Sequence, residues 1–203
     1  MNIIIMGMPG AGMGTQAKEI ADAYQIPYIS TGEIFRSFAE TGSPIGIEVK
    51  NFMDMGHLVP DRLVNKILWD RMGEANTTKG FILEGYPRTC QQAAALEAYL
   101  ESKRLALDAV VYLAVGKEVL RKRLERKLGS PILSLAVHRK TGCSPALSDD
   151  LSELIEKRLQ ESELEIEALA SFYQEVGIVS MVNGDQEPKV VFANIQEVLQ
   201  FHS

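Results

Sequence analysis

The sequence predicts an α/β domain in which a parallel sheet is covered by helices on both faces. Three observations point there. Apolar runs of strand length recur at residues 2–6, 80–83, 109–114 and 178–182, with a shorter candidate at 27–29. Runs without a polar face suit strands buried on both sides, as parallel strands are. Helix-length amphipathic stretches alternate with them, the order that builds βα units. The first run also breaks at Gly7-Met8-Pro9-Gly10-Ala11-Gly12-Met13-Gly14-Thr15. Such a glycine-rich turn from a buried strand into a helix lets backbone N–H groups approach a polyphosphate, with the positive end of the helix behind them.

Each element has a local justification. Gly7, Gly12 and Thr15 fit the phosphate-loop frame G-x4-G-K-[ST], with Met13 at the lysine position. Met8 and Met13 have the size and polarity to pack against each other or against a base. Ser30 with Glu33, and Thr89 with Gln92, have capping-box spacing, while Pro44 and Pro60 suit a first helical turn, where no N–H is needed. Residues 149–176 set Leu151, Leu154, Ile155, Leu159, Ile166, Leu169 and Ala170 at helical spacing between charges, a core-facing stripe. Past Pro188, Val191, Ile195, Val198 and Leu199 predict an amphipathic closing helix. Residues 129–148, rich in Gly, Ser, Pro and Thr and carrying His138-Arg139-Lys140, read as a surface flap joining two helices. His57 and His138 have no partner at ligand spacing and read as surface residues, and Trp69 reads as helix packing.

Composition narrows the functional classes. A chain of 203 residues suits one domain, and 46% hydrophobic with 24% charged residues indicates a globular protein rather than a disordered one. The formal charge of −6 argues against a broad nucleic-acid or acidic-membrane surface. Cys90 and Cys143 lie far apart and in no metal spacing, which fits free thiols in a reducing compartment. The opening residues lack the basic and apolar regions of a secretory signal, and no run approaches the roughly 18 apolar residues of a membrane helix. A cytoplasmic location is expected.

Several motifs, in order along nearly the whole chain, resemble the adenylate kinases among the nucleoside monophosphate kinases. The glycine loop matches G-x-P-G-x-G-K-G-T except at Met13. Ser30-Thr31-Gly32-Glu33-Ile34-Phe35-Arg36 is similar to S-T-G-D-[ML]-[LF]-R, and residues 56–64 are similar to G-x-L-V-x-D-x-[LIV]-V. Leu83-Glu84-Gly85-Tyr86-Pro87-Arg88-Thr89 with Gln92 resembles L-D-G-[FY]-P-R-T…Q. Asp149-Asp150 with Arg158 matches D-D-x7-R, and Asn183-Gly184 resembles the turn against which the ATP adenine rests.

The resemblance implies a P-loop NTPase-type core at residues 1–29, 60–126 and 149–203, a helical acceptor-nucleotide flap at 30–59, and a short-to-intermediate lid at 127–148. It implies ATP and Mg²⁺ as cofactors and AMP, or a similar nucleoside monophosphate, as partner. Gly10, Ala11, Gly12, Gly14, Thr15, Arg123 and Gly184 would hold the ATP phosphates and adenine. Thr31, Arg36, Val59, Val64, Gly85, Arg88 and Gln92 would hold AMP, with arginine forks on its phosphate and the Gln92 amide reading a purine edge. Thr15 and Glu84 would attend the metal, partly through water. Arg88, Arg123 and Arg158 would stabilise the moving phosphoryl group, with Met13 at the degenerate lysine position.

The departures from the family pattern carry information. Met13 removes a charge that follows the transferring phosphoryl group, while Glu33 and Glu84 lengthen family aspartates by one methylene. Leu147 and Lys127 stand at lid positions where arginine is usual, and a lone Cys143 excludes a four-cysteine zinc lid. Taken together they suggest a divergent paralogue, and two classes of function stay open. One is a slowed phosphotransferase, ATP + AMP ⇌ 2 ADP; the other is an AMP-binding module without significant turnover. UMP or CMP as acceptor is compatible with the same residues.

Overall fold

Strand β1 (Asn2–Gly7) is buried along its whole length and lies at the centre of the sheet. The computed structural model describes residues 1–54, 59–128 and 148–201. Within them the elements run α1 (Met13–Tyr24), β2 (Tyr28–Ser30), α2 (Thr31–Glu40), α3 (Pro44–Asp54), α4 (Asp61–Glu74), β3 (Phe81–Glu84) and α5 (Cys90–Ser102). There follow β4 (Ala109–Ala114), α6 (Lys117–Leu128), α7 (Ser148–Val176), β5 (Val179–Asn183) and α8 (Pro188–Gln200). The described strands form one parallel sheet in the order β2-β3-β1-β4-β5.

Alternate residues of β1 feed opposite cores, as the twofold strand period requires. Ile3 and Ile5 join Val111, Leu113, Ala17 and Ile20 of α1, and Val191, Ile195 and Leu199 of α8. Ile4 and Met6 join Phe81, Leu83 and Val110 with Ile67 and Leu68 of α4, Leu96 of α5, and Leu169 and Tyr173 of α7. Covered on both faces, the central strands are almost wholly apolar, with the hydrogen-bonded Asn2 at the start of β1 as an exception, which is why the sequence reads there as apolar runs. Ile155, Leu159 and Leu169 of the long stripe are buried as expected. Trp69 packs as a helix residue, stacked on Tyr99 with centroids 4.1 Å apart and edge-on to Tyr86 at 5.9 Å.

Each strand lies within one residue of its expected position. β2, β3 and β5 are each shifted one residue toward the C-terminus, so that the polar residues Ser30, Glu84 and Asn183 pair beyond the apolar run, and β1 extends by Gly7. Pro44 and Pro188 open their helices, but Pro60 sits one position earlier than expected: it caps α4, its carbonyl accepting from the N–H groups of Leu63 and Val64 at 2.8 and 3.0 Å. Only half of each capping box forms. Ser30 accepts from the Glu33 amide at 3.4 Å and Thr89 from the Gln92 amide at 3.1 Å. The side chains of Glu33 and Gln92 turn to other partners instead.

The expectations for His57, His138, Cys143, Leu147 and nearly all of the lid fall on residues outside those described. So do the side chains of Leu151, Leu154, Lys127 and the Asp149-Asp150 pair. Among the described residues, no helix is long and apolar enough to cross a membrane.

Tyr173 is completely buried, and its hydroxyl meets no hydrogen-bond partner among the described residues. A hydroxyl left dry and unbonded costs about 1–3 kcal/mol. Tyr173→Phe is therefore expected to raise stability in urea unfolding, by about 0.5–2 kcal/mol. A loss of more than about 1 kcal/mol would show that the hydroxyl is satisfied.

Candidate functional site

All five described strands point the same way, so their C-terminal ends gather along one edge. At that edge Gly7 pairs with Leu113, Ser30 with Glu84, and Ala114 with Asn183. Clefts outside the carboxyl ends of an open parallel sheet are where such folds bind ligands. Most described residues expected at the site come from this edge or from the helix starts that follow it; Arg36, Val59, Val64, Arg123 and Arg158 do not.

The loop from β1 to α1 is closed internally by the Ala11 N–H donating to the Met8 carbonyl at 2.9 Å. Gly12 caps α1 at φ 100°, a left-handed conformation that suits glycine, and a side chain there would meet nothing within 4 Å. Its carbonyl accepts from Thr15 and Gln16, both at 3.1 Å. The N–H groups at the helix start have no carbonyl within α1 to bind, the arrangement that at other helix N-termini can receive an anion. Thr15 is exposed on the first turn, whereas Ala11 is buried. Met13, the first residue of α1, is half-buried with its side chain packed against the core cluster that also holds Met8.

Arg123 reaches this loop from α6. Its guanidinium donates to the carbonyls of Gly184 at 3.1 Å, Ala11 at 3.4 Å and Gly10 at 3.5 Å, with Asp185 at 3.9 Å. The neighbouring Arg121 instead pairs with Glu118 and Glu125 on its own helix, so the basic run divides into a solvated face and one residue turned to the loop. Gly184 is buried where β5 ends, and a side chain there would lie 2.7 Å from Val115.

A second group gathers at the ends of β2 and β3. Gly85, at φ 80°, approaches so closely that a side chain would lie 2.8 Å from the Thr31 hydroxyl. That hydroxyl donates to the Gly85 carbonyl at 2.9 Å, as does the Arg88 Nε at 3.1 Å. The exposed Arg36 guanidinium folds back over Gly32. The Gln92 amide is buried and engaged at both ends: its oxygen accepts from the Arg88 N–H at 2.8 Å, and its nitrogen donates to Asp61 at 2.6 Å. Val59 and Val64 are buried within the second core cluster, as a wall beneath this region. Arg158 belongs to α7, but its side chain lies outside those described.

Between the two groups sits Glu84. Its Oε2 accepts from the Ser30 hydroxyl at 2.5 Å and from the Tyr28 hydroxyl at 3.3 Å. Burial, with the Glu84 and Glu33 carboxylates close by, pushes the Tyr28 phenol up to about 12, so it remains a donor. Glu84 thus meets neutral donors rather than a cation, and a half-buried carboxylate with that environment fits a hydrated Mg²⁺. Among the described residues no cluster of three His, Cys, Asp or Glu could hold a metal by itself.

The roles of Tyr28 and Asp61 went unread in the sequence. Asp61 lies inside a matched motif, which was the available signal; Tyr28 lies in a short apolar strand and gave none.

The family model described as adenylate kinase matches residues 5–178. Similar curated proteins include the adenylate kinase of Bacillus subtilis (strain 168), 36% identical over 212 aligned positions that cover 98% of each chain. That of Geobacillus sp. (strain WCH70) is 37% identical with the same coverage. That of Methanosarcina acetivorans is 39% identical, again across 98% of both chains. With a phosphate-type loop at the head of the central strand and a likeness that spans essentially the whole sequence, this chain belongs to the adenylate kinase family.

Proposed function

We propose that the protein catalyses the Mg²⁺-dependent transfer of the γ-phosphoryl group of ATP to AMP, giving two ADP, and that Met13 slows it. The observation that carries this reading is the convergence of Thr31, Gly85 and Arg88, with Arg36 on the adjoining turn, beside an intact glycine loop. Phosphoryl transfer asks a protein mainly to hold donor and acceptor in line and to offset charge. The loop amides would take the ATP phosphates, and Arg123 would hold the loop while facing them. Arg36 and Arg88 would fork the AMP phosphate, and Arg158 would join them. Thr31, Val59, Val64, Gly85 and Gln92 would seat the nucleoside, and Gly184 would back the ATP adenine. Mg²⁺ carried on the ATP phosphates would supply charge neutralisation, with Thr15 and Glu84 holding it, Glu84 through water. Residues 30–59 and 127–148 would serve as the acceptor flap and the lid. The exposed free thiol of Cys90 fits a cytoplasmic setting.

Met13 favours a second reading, an AMP-binding module that turns over little. Its side chain is partly tucked into the core cluster and offers no charge to the transferring group. Because the acceptor side keeps its arginines and the donor side has lost its lysine, AMP is expected to bind more tightly than ATP in calorimetric titration. The reverse order would count against the assignment of the two sides.

ADP formation from ATP, AMP and Mg²⁺ separates the readings. Met13→Lys is expected to raise turnover by about 10²–10⁴-fold, equivalent to about 3–5 kcal/mol of barrier. Equal rates in parent and variant would mean that another cation already does the lysine's work. Arg88→Ala should raise the KM for AMP by about 10–100-fold through loss of a charge-assisted phosphate contact, with the KM for ATP little changed. Asp61→Ala leaves the buried Gln92 nitrogen without its acceptor. That change should cost about 1–3 kcal/mol of stability in chemical denaturation and weaken AMP several-fold.

A further inference from the structure

We propose that Tyr28 is a positioning residue for Glu84, and that with Ser30 it fixes the lengthened carboxylate where it can order the water of a nucleotide-bound divalent cation. The inference rests on the metal role proposed for Glu84 and goes beyond it by assigning the device that aims this side chain. A glutamate has one more rotatable bond than an aspartate, so its carboxylate needs an external hold to stay in one place. Here Oε2 is held twice, by hydroxyls from adjacent strand β2: Ser30 at 2.5 Å and Tyr28 at 3.3 Å. Glu84 is paired in register with Ser30, so both donors come from the strand edge beside it. Among the described residues Oε1 has no such partner, and it is the oxygen left for a water.

Tyr28 is itself held. Its ring lies under the Lys18 ammonium at 5.4 Å, a cation–π distance, and Lys18 is kept there by Glu33 at 2.9 Å. Its hydroxyl lies 3.8 Å from where a side chain on Gly14 would begin, beside the phosphate-type loop. The phenol therefore spans the gap between the first turn of α1 and the end of β3. Both lengthened acids are accounted for in this way: Glu33 is drawn to Lys18, and Glu84 is clamped by Tyr28 and Ser30. Groups that orient a metal-directed carboxylate commonly matter by one to two orders of magnitude in metal affinity. For a contact acting through water and carried by one of two donors, about 3–10-fold is expected.

The test is Mn²⁺ binding to the full-length protein with the β,γ-imido analogue of ATP, read by electron paramagnetic resonance, so that turnover is not needed. Tyr28→Phe keeps the ring and removes the hydroxyl. It is expected to weaken Mn²⁺ about 3–10-fold while leaving affinity for the metal-free nucleotide unchanged. Glu84→Gln should weaken Mn²⁺ at least as much, and Tyr28→Phe should add nothing in the Glu84→Gln background. Thermal unfolding of each variant establishes that it is folded, and Tyr28→His, which restores a donor, should recover part of the loss if the phenylalanine variant is unstable. If Glu84→Gln weakens Mn²⁺ and Tyr28→Phe does not, the clamp is overturned while the metal role of Glu84 stands. If Glu84→Gln has no effect, both are overturned.

Discussion

A turn that offers amide hydrogens to an anion must do something with its carbonyl oxygens, and in this protein Arg123 supplies the answer. Its guanidinium meets the carbonyls of Gly10 and Ala11 from one side and that of Gly184 from the other. The loop after β1 and the turn after β5 are thereby tied to α6, although they lie far apart in sequence. A planar fork of N–H donors suits this task better than a lysine ammonium, because it can address several carbonyls at once. The loop thus keeps its form through contacts within the protein rather than through the missing lysine. Methionine at the lysine position therefore leaves the shape of the loop in place while taking away a charge.

The same separation appears on the side proposed for the acceptor. Asp61, Gln92 and the Arg88 amide form a chain of bonds that sets the start of α5 before any nucleotide arrives. Tyr86 extends it, its single hydroxyl hydrogen shared between Asn65 Oδ1 at 2.7 Å and the Gln92 carbonyl at 3.0 Å. Buried polar chains of this kind are stiff because each member would be costly to leave unbonded. The exposed guanidinium of Arg88 therefore projects from a base that is already rigid.

The fold was legible because both faces of the sheet are covered, and strands with no polar face are conspicuous in a sequence. The ends of those strands were less legible: Ser30, Glu84 and Asn183 pair as strand residues but carry polar side chains, so they break the apolar runs that mark the strands. The glycine loop was readable from its strand–turn–helix pattern, whereas Thr31 and the arginines were singled out only through the family resemblance. The Gln92 contact to Asp61 spans 31 residues and the Tyr28 contact to Glu84 spans 56, and neither follows from any local pattern. Pro60 shows a smaller limit. Proline is suited both to the cap position and to the first turn, and only the backbone geometry distinguishes them.

Trp69 is the sole tryptophan of the chain, and its surroundings decide what light can report about this molecule. It stacks on Tyr99 and lies edge-on to Tyr86, whose hydroxyl belongs to the network under Arg88 and Gln92. Its emission therefore samples the α4–α5 side of the sheet. The glycine loop packs into the other core cluster, across the sheet from the indole. Intrinsic fluorescence gives a label-free optical window on the α4–α5 side of the sheet, while changes confined to the glycine loop pass nearly dark and call for a probe placed there.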